Sequence, residues 1–302
     1  MPQLPLVSIV VPTCRRNQQL ARCLASLARL DYPRALLEII VVDDGGNARL
    51  PDPGDPALPD VTLHRHDTPL QGPAAARNSG LTRSRGTVVA FIDDDCEADP
   101  GWIRELVAAL EPHPGGGCGG TVVNALTDNL YAEASQALVS FLCAYYNVPP
   151  PRATFFSSNN LAFSRAALVE AGAFDARYPR AAAEDRELCN RWCQQGRPLV
   201  SAPRAIVRHA HAMTPVSFLR QHYWYGTGAW RYHQARGARG GGRVRVEPLR
   251  FYGRLIAWPL TTRGWRGLPV SALLVLAQVA NVVGFFAEAV RAHNDKPLEQ
   301  TA

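Results

Sequence analysis

The stretch Val88-Val89-Ala90-Phe91-Ile92-Asp93-Asp94-Asp95-Cys96 constrains this chain more than any other. An apolar, β-prone run bounded by polar residues predicts a fully buried strand, and this one breaks off into three carboxylates. In an open α/β sheet, ligands bind beyond the carboxyl ends of such strands, so the aspartates are expected at a binding crevice. Side chains alternate along an extended chain, which would put Asp93 and Asp95 on one side and Asp94 on the other. Three adjacent negative charges repel one another. A hard divalent cation, Mg2+ or Mn2+, sharing its shell with substrate phosphates would relieve that repulsion. The plainer alternative is a solvated acidic turn leading into the helix that Asp99-Pro100 opens.

A second copy of the pattern favours the crevice. Leu37 to Val42 is another apolar run, and it ends in Asp43-Asp44-Gly45-Gly46, where the glycines let the backbone turn sharply. Upstream, Val7-Ser8-Ile9-Val10-Val11-Pro12-Thr13 is followed by Arg15, Arg16, Asn17 and leucines at 20, 24, 27 and 30 in helical spacing. Pro51 to Pro56 reads as a loop and Val61 to His64 as a short strand. Gln71-Gly72-Pro73 opens a helix through Ala76-Arg77-Asn78-Ser79-Gly80 that leads into the Asp93–Asp95 strand. Strands and helices alternate, as in a parallel doubly wound sheet.

Together these segments resemble the family 2 glycosyltransferases of the GT-A fold: an opening strand ending in Pro-Thr, a strand ending in Asp-Asp-Gly, a Gly-x-x-x-Ala-Arg-Asn-x-Gly element, and a strand ending in Asp-x-Asp. Further matches follow in order. Phe155 to Phe163 is similar to a Gly-x-Asn-x-Ala-Phe strand, with Asn160 at the matching asparagine. Ala173-Phe174-Asp175 stands for Gly-Phe-Asp. Ala183-Glu184-Asp185-Arg186-Glu187-Leu188 resembles Glu-Asp-x-Asp/Glu-Leu, with Arg191 after it.

The resemblance implies a mostly parallel, Rossmann-like sheet flanked by helices. Residues 1–212 would be the catalytic domain, with a nucleotide-sugar half to about 125 and an acceptor half after it; 213–302 would be a helical, membrane-associating extension. It implies a nucleotide-sugar donor held near Pro12, Thr13, Arg15, Asp44, Arg77, Asp93 and Asp94. A divalent metal would sit on Asp95 and on a histidine, for which His209 aligns best and His211, two residues on, is open. Asn160 would lie in the acceptor region. Asp185, with Glu184 beside it, would be the catalytic base, because a sugar hydroxyl attacks only as its proton is taken. Without the upstream motifs, the two carboxylates would read simply as charge on the first turn of a helix.

The rest of the sequence narrows the function. Positive charge is carried by arginine, Lys296 being the only lysine, and from Arg197 to Arg266 Glu247 is the only carboxylate. Such a basic third suits anionic phosphates or an anionic membrane face. No helix-turn-helix, zinc-finger or RRM pattern points to nucleic acid. Seven cysteines without a C-x-x-C pair suit a reducing cytoplasm, and the opening residues show no basic, then apolar leader. Tyr145 and Tyr146, which end the helix expected from Asn129, read as core. Thr214-Pro215 caps a helix through Gly228, Arg236 to Arg245 reads as a flexible Gly/Arg stretch, and Gly267 to Ala289 is apolar but broken by Gln278, Asn281 and Glu288. That run fits a tilted span, an in-plane helix or a dimer-forming helix, and association with the inner face of the cell membrane is the expectation. Gln221-His222-Tyr223-Trp224 lacks the Gln-x-x-Arg-Trp of processive synthases, so a single sugar is expected to be added to a glycan or lipid-linked acceptor. An oligomer is left open. The rival enzyme, a sugar-phosphate nucleotidyltransferase, needs a glycine-rich opening loop and a catalytic lysine, absent from Pro12 to Arg16. A non-catalytic glycan- or membrane-binding module with the same fold is opposed by intact Asp95 and Asp185.

Overall fold

The computed structural model describes residues 3–50, 60–148, 152–242, 244 and 246–294. The loop expected at Pro51–Pro56, the first two residues of the opening segment, and Lys296 lie outside the described residues.

The strands and helices run β1 (Val7–Thr13), α1 (Asn17–Leu27), β2 (Leu37–Asp43), β3 (Asp60–Arg65), α2 (Pro73–Arg83), β4 (Val88–Phe91), β5 (Cys96–Ala98), α3 (Trp102–Leu110), β6 (Gly117–Asn124), α4 (Leu130–Tyr146), β7 (Leu161–Ser164), α5 (Arg165–Glu170), α6 (Glu184–Gln194), β8 (Leu199–His209), α7 (Pro215–Ala238), α8 (Leu249–Arg263) and α9 (Leu268–Asn294). Among the described residues eight strands form one sheet, in the order β3-β2-β1-β4-β7-β6-β8-β5. The β3-β2-β1-β4 half is parallel throughout. Every residue of β1 and β2 is buried, as strands covered by helices on both faces must be.

The fold is α/β with a mixed, mostly parallel sheet, and the mixing lies in the second half. β7 runs antiparallel to both β4 and β6, β5 runs antiparallel to β8, and β6 and β8 are parallel. Four boundaries differ from the sequence reading. β4 stops at Phe91, so the three aspartates lie on the turn before β5. Phe155 to Phe163 is not one strand: a 3-10 turn, Ser158–Asn160, precedes β7. Pro198 to Val200 and Ala205 to Val207 read from the sequence as two short strands, but the structure has one strand there, β8, whose register with β6 shifts between Gly120 and Thr121. Thr121 Oγ1 bonds the Pro203 carbonyl across that bulge at 2.8 Å, and such a bulge hides a strand's continuity. The Gly/Arg stretch begins helical, since α7 continues through Ala238. α8 had no counterpart in the sequence reading, because Pro259 interrupts its pattern.

The C-terminal helices pack on α4 and on one another. α7 and α9 cross where Gly226 faces the Asn281 carbonyl and Gly284 faces the Tyr223 carbonyl, close approaches that a side chain would block. The polar residues that interrupt α9 face inward there: Glu288 pairs with Arg231 at 2.7 Å, and Asn281 Nδ2 bonds the Ala277 carbonyl at 3.0 Å. The opposite face stays apolar and exposed.

Candidate active site

The ends of β1, β2 and β4 reach the same sheet edge, with Thr13 paired to Asp43 in register and the aspartate turn beside them. Asp43 and Asp44 divide their work. Asp43 accepts the Gly45, Gly46 and Ala48 N–H groups at 2.9, 3.0 and 2.7 Å and so shapes the turn. Asp44 accepts the Gln71 and Gly72 N–H groups at 2.9 and 2.8 Å and sits 2.8 Å from His66 Nδ1. That histidine reaches Ser79 Oγ at 2.8 Å on its other side. Asp44 thus ties β2 to the start of α2. Pro12 is buried within β1, and Arg15 is exposed with a left-handed φ of 58°.

The aspartate turn sends its side chains three ways instead of alternating. Asp93 accepts from Arg77 Nη2 at 2.7 Å. Asp94 accepts from Thr13 Oγ1 at 2.7 Å. Asp95 meets His209 Nε2 at 3.3 Å and His211 Nδ1 at 3.1 Å. Arg16 Nη1 bridges Asp94 and Asp95 at 3.2 and 2.8 Å, a role that sequence reading missed although the Arg15-Arg16 pair was its signal. Burial pushes Asp94 up to about 6, against Arg16 and Thr13. Burial also works against ionising Asp95, but hydrogen bonds from His209 and His211 and the Arg16 charge hold it well below the usual carboxylate range.

Asp95, His209 and His211 each offer a ligand atom, all within 4.8 Å of one another. One carboxylate and two imidazoles suit a divalent ion such as Mn2+, and the structure brings both candidate histidines to it. β8 explains why: His209 ends the strand opposite Cys96, next to Asp95, and His211 follows two residues later.

Glu184 and Asp185 open α6, where the helix dipole favours negative charge. Ala183 before them has a left-handed φ of 70°, a conformation costly for a residue with a Cβ and concentrated at functional sites. Both Glu184 oxygens are engaged, by Arg77 Nη1 at 3.1 Å and the Ala182 N–H at 2.7 Å, and the residue is 2% exposed. Asp185 is partly open and accepts the Arg186 N–H at 2.7 Å and, weakly, the Ser158 N–H at 3.3 Å. Burial raises both carboxyl groups; the Asp185 charge adds to the rise at Glu184, and the Asp93 charge adds to that at Asp185. Arg77, 1% exposed, joins the two acidic clusters by bonding Asp93 and Glu184 together; its Nε is left without a partner.

Asn160 turns away from these groups. Its Oδ1 takes the Trp102 indole N–H at 2.8 Å and its Nδ2 donates to the Thr121 and Ala205 carbonyls at 3.0 and 2.9 Å, so it pins β6, β8 and α3 together under the site. Asn159, its neighbour, lines the cavity instead. Tyr145 joins the aromatic cluster of Phe141 and Phe251, as expected of core. Tyr146 bonds Glu247 at 2.9 Å and reaches the cavity wall.

A cavity of about 940 Å3 opens on this arrangement, with Arg77, Asp93, Glu184, Asp185, His209 and His211 in its wall. Pro12, Thr13, Arg15, Asp44 and Asp94 do not line it.

The description "Glycosyl transferase family 2" belongs to a family model that matches residues 8–171. A glucosyl-dolichyl phosphate glucuronosyltransferase of Haloferax volcanii is 29% identical over 219 residues, 67% of this chain and 68% of that one. The glycosyltransferase AglE of the same organism is 30% identical over 110 residues, 35% of this chain and 36% of its own. A pre-mycofactocin glycosyltransferase of Mycobacterium tuberculosis is 28% identical over 238 residues, covering 74% of this chain. The matches thus span about a third of AglE's length and 46% of the mycobacterial protein. Among solved structures, the mannosyltransferase PcManGT of Pyrobaculum calidifontis, in complex with GDP-Man and Mn2+, superposes with a TM-score of 0.59 at 20% identity over 98% of this chain and 82% of that one. TarS 1–349 of Staphylococcus aureus with UDP-GlcNAc gives 0.52 at 16% identity over 95% and 92%. At these identities the structures speak to fold alone.

Proposed function

Because the chain belongs to glycosyl transferase family 2, we propose that it moves one sugar from a nucleoside-diphosphate sugar to the hydroxyl of a glycan or lipid-linked acceptor, with inversion. One observation carries this reading: Asp185, the carboxylate left open beside a sealed and fully bonded Glu184, faces the same cavity as Asp93, His209 and His211. A proton acceptor and an anion-holding cluster therefore look into one volume.

In this reading Pro12, Thr13, Arg15, Asp44 and Asp94 form the nucleotide side, and Arg77 and Asp93 stand between it and the sugar. Asp95, His209 and His211 would hold Mg2+ or Mn2+, which when bound supplies charge neutralisation to the departing diphosphate. Asp185 takes the acceptor hydroxyl's proton as that oxygen bonds to the anomeric carbon from the face opposite the diphosphate. The glycosidic C–O bond to the diphosphate breaks, and its electron pair leaves with the nucleoside diphosphate. Glu184 anchors Arg77, and Asn160 supports the floor from below. Residues 1–212 act as the catalytic unit and 213–302 close the acceptor side, with α9 against the inner face of the cell membrane. That placement is supported by an 18-residue window of mean hydropathy 2.1 within Leu249–Asn294, 28% of it buried.

A thermal-shift screen of UDP, GDP and other nucleoside diphosphates, with and without Mn2+, tests the proposal. At least one should raise the melting temperature only when metal is present. Equal shifts in EDTA, or none with any nucleotide, would contradict it.

A further inference from the structure

The cavity is much larger than its chemistry needs. Its polar end holds the groups described above. Away from them the wall is made by Leu138 and Leu142 of α4, Phe251 and Leu255 of α8, and Val279 and Phe286 of α9. Three polar side chains of the wall bond to the protein: Gln136 to the Val122 carbonyl at 2.9 Å, Gln221 to Tyr225 Oη at 2.8 Å, and Asn281 to the Ala277 carbonyl at 3.0 Å; Gln278, Tyr252 and His233 line it as well. A glycan needs convergent donors and acceptors along its length, and the six apolar side chains offer it none.

The apolar end also has a way out. Val275, Val279, Val282 and Phe286 follow one another at spacings of four, three and four, which places them on one face of α9. All four line the cavity, and they are 42%, 56%, 54% and 62% exposed. The cavity is therefore open to the surface along an apolar seam. On α8 and the turn before α9, Arg250, Arg254 and Arg266 are exposed, and no carboxylate occurs from Pro248 to Ala287. Such a surface is complementary to an anionic bilayer.

We propose that the acceptor is a membrane lipid whose hydrocarbon chain enters through the α9 seam and lies in the apolar part of the cavity, bringing its hydroxyl-bearing head to Asp185. This rests on the reading of Asp185 as the base and selects the lipid-linked class of acceptor. The seam lets a chain longer than the cavity continue into the bilayer, so the site recognises the first stretch of the chain and not its end.

Calorimetric titration with methyl, hexyl and octyl β-glucoside, each below its micelle concentration, tests this on the full chain. Each buried methylene should tighten binding about fourfold, so octyl glucoside should bind about 15-fold more tightly than hexyl glucoside. Val279→Asp should flatten that dependence, and Val279→Leu should keep it. Leu276→Asp, at a position 50% exposed on α9 but outside the cavity wall, should also keep it. Absence of chain-length dependence in the wild type overturns the proposal. So does its survival in Val279→Asp, or its loss in both aspartate variants, which would mark adsorption to the outside of α9. A doubled mass in solution that the glucosides leave undisturbed would put a second copy in the seam and overturn it too. Titrating the same samples with UDP and GDP in Mn2+ separates the two readings. Nucleotide binding without the chain-length dependence refutes the lipid site alone, and the dependence without nucleotide binding refutes the glycosyltransferase reading alone.

Discussion

At the scale of single residues the site is a chain of carboxylates joined by two arginines. Arg16 links Asp94 to Asp95, and Arg77 links Asp93 to Glu184. The second link couples the base to its surroundings. Burial and the Asp93 charge both raise Asp185, and a base with a raised pKa gains its activity as pH rises through that pKa. The acid limb of the rate profile should therefore lie above the usual carboxylate range. Asp93→Asn removes that charge and leaves the Arg77 charge less neutralised, and both effects favour ionised Asp185. The acid limb should move to lower pH in that variant, as read from kcat against pH; a shift upward would show that the limb belongs to another group. The motifs made these carboxylates legible, because strand ends and a helix start are places where sequence alone fixes position. Arg16 was not legible as a bridge, since an arginine's reach depends on what folds back against it. Asn160 matched its motif, yet its hydrogen bonds to Trp102, Thr121 and Ala205 are long-range contacts that no local pattern reveals.

At the scale of elements, the parallel half β3-β2-β1-β4 was readable from two apolar runs ending in acids. The antiparallel β7 and the bulged β8 were not, because strand direction and register across a bulge are set by partners distant in sequence. The C-terminal helices show the same division: the Thr214 cap and Pro215 were local signals, whereas α8 hides behind Pro259. The α7–α9 crossing yields a direct test. Gly284 leaves no room for a side chain against the Tyr223 carbonyl, so Gly284→Val must push the helices apart. Overpacking of this kind costs about 1–3 kcal/mol. Limited proteolysis should then cut within α9 faster than in the wild type while the sheet stays resistant. Unchanged digestion would mean that α9 is held by other contacts.

At the scale of the whole molecule, a sheet edge carrying acids meets a helical layer whose outer surface is apolar and basic. Leu276 and Val290 of α9, 50% and 60% exposed, are not part of the cavity wall. Leu276→Glu combined with Val290→Glu should weaken binding to liposomes containing anionic lipid several-fold in a flotation assay, while nucleotide binding persists. Retained flotation would place the membrane contact elsewhere. In the proposed reaction Asp185 removes the acceptor proton while the donor is held by other groups. Asp185→Asn keeps the size of the side chain and removes its basicity. With sugars of the nucleoside diphosphate that the thermal-shift screen selects, the decisive measurement is the rate of nucleoside diphosphate release in Mn2+, paired with calorimetric affinity for the same nucleotide. The Asp185→Asn rate should fall about 10²–10⁴-fold below wild type, the usual loss for a positioned general base, with affinity nearly unchanged. Release at close to the wild-type rate from Asp185→Asn would contradict it.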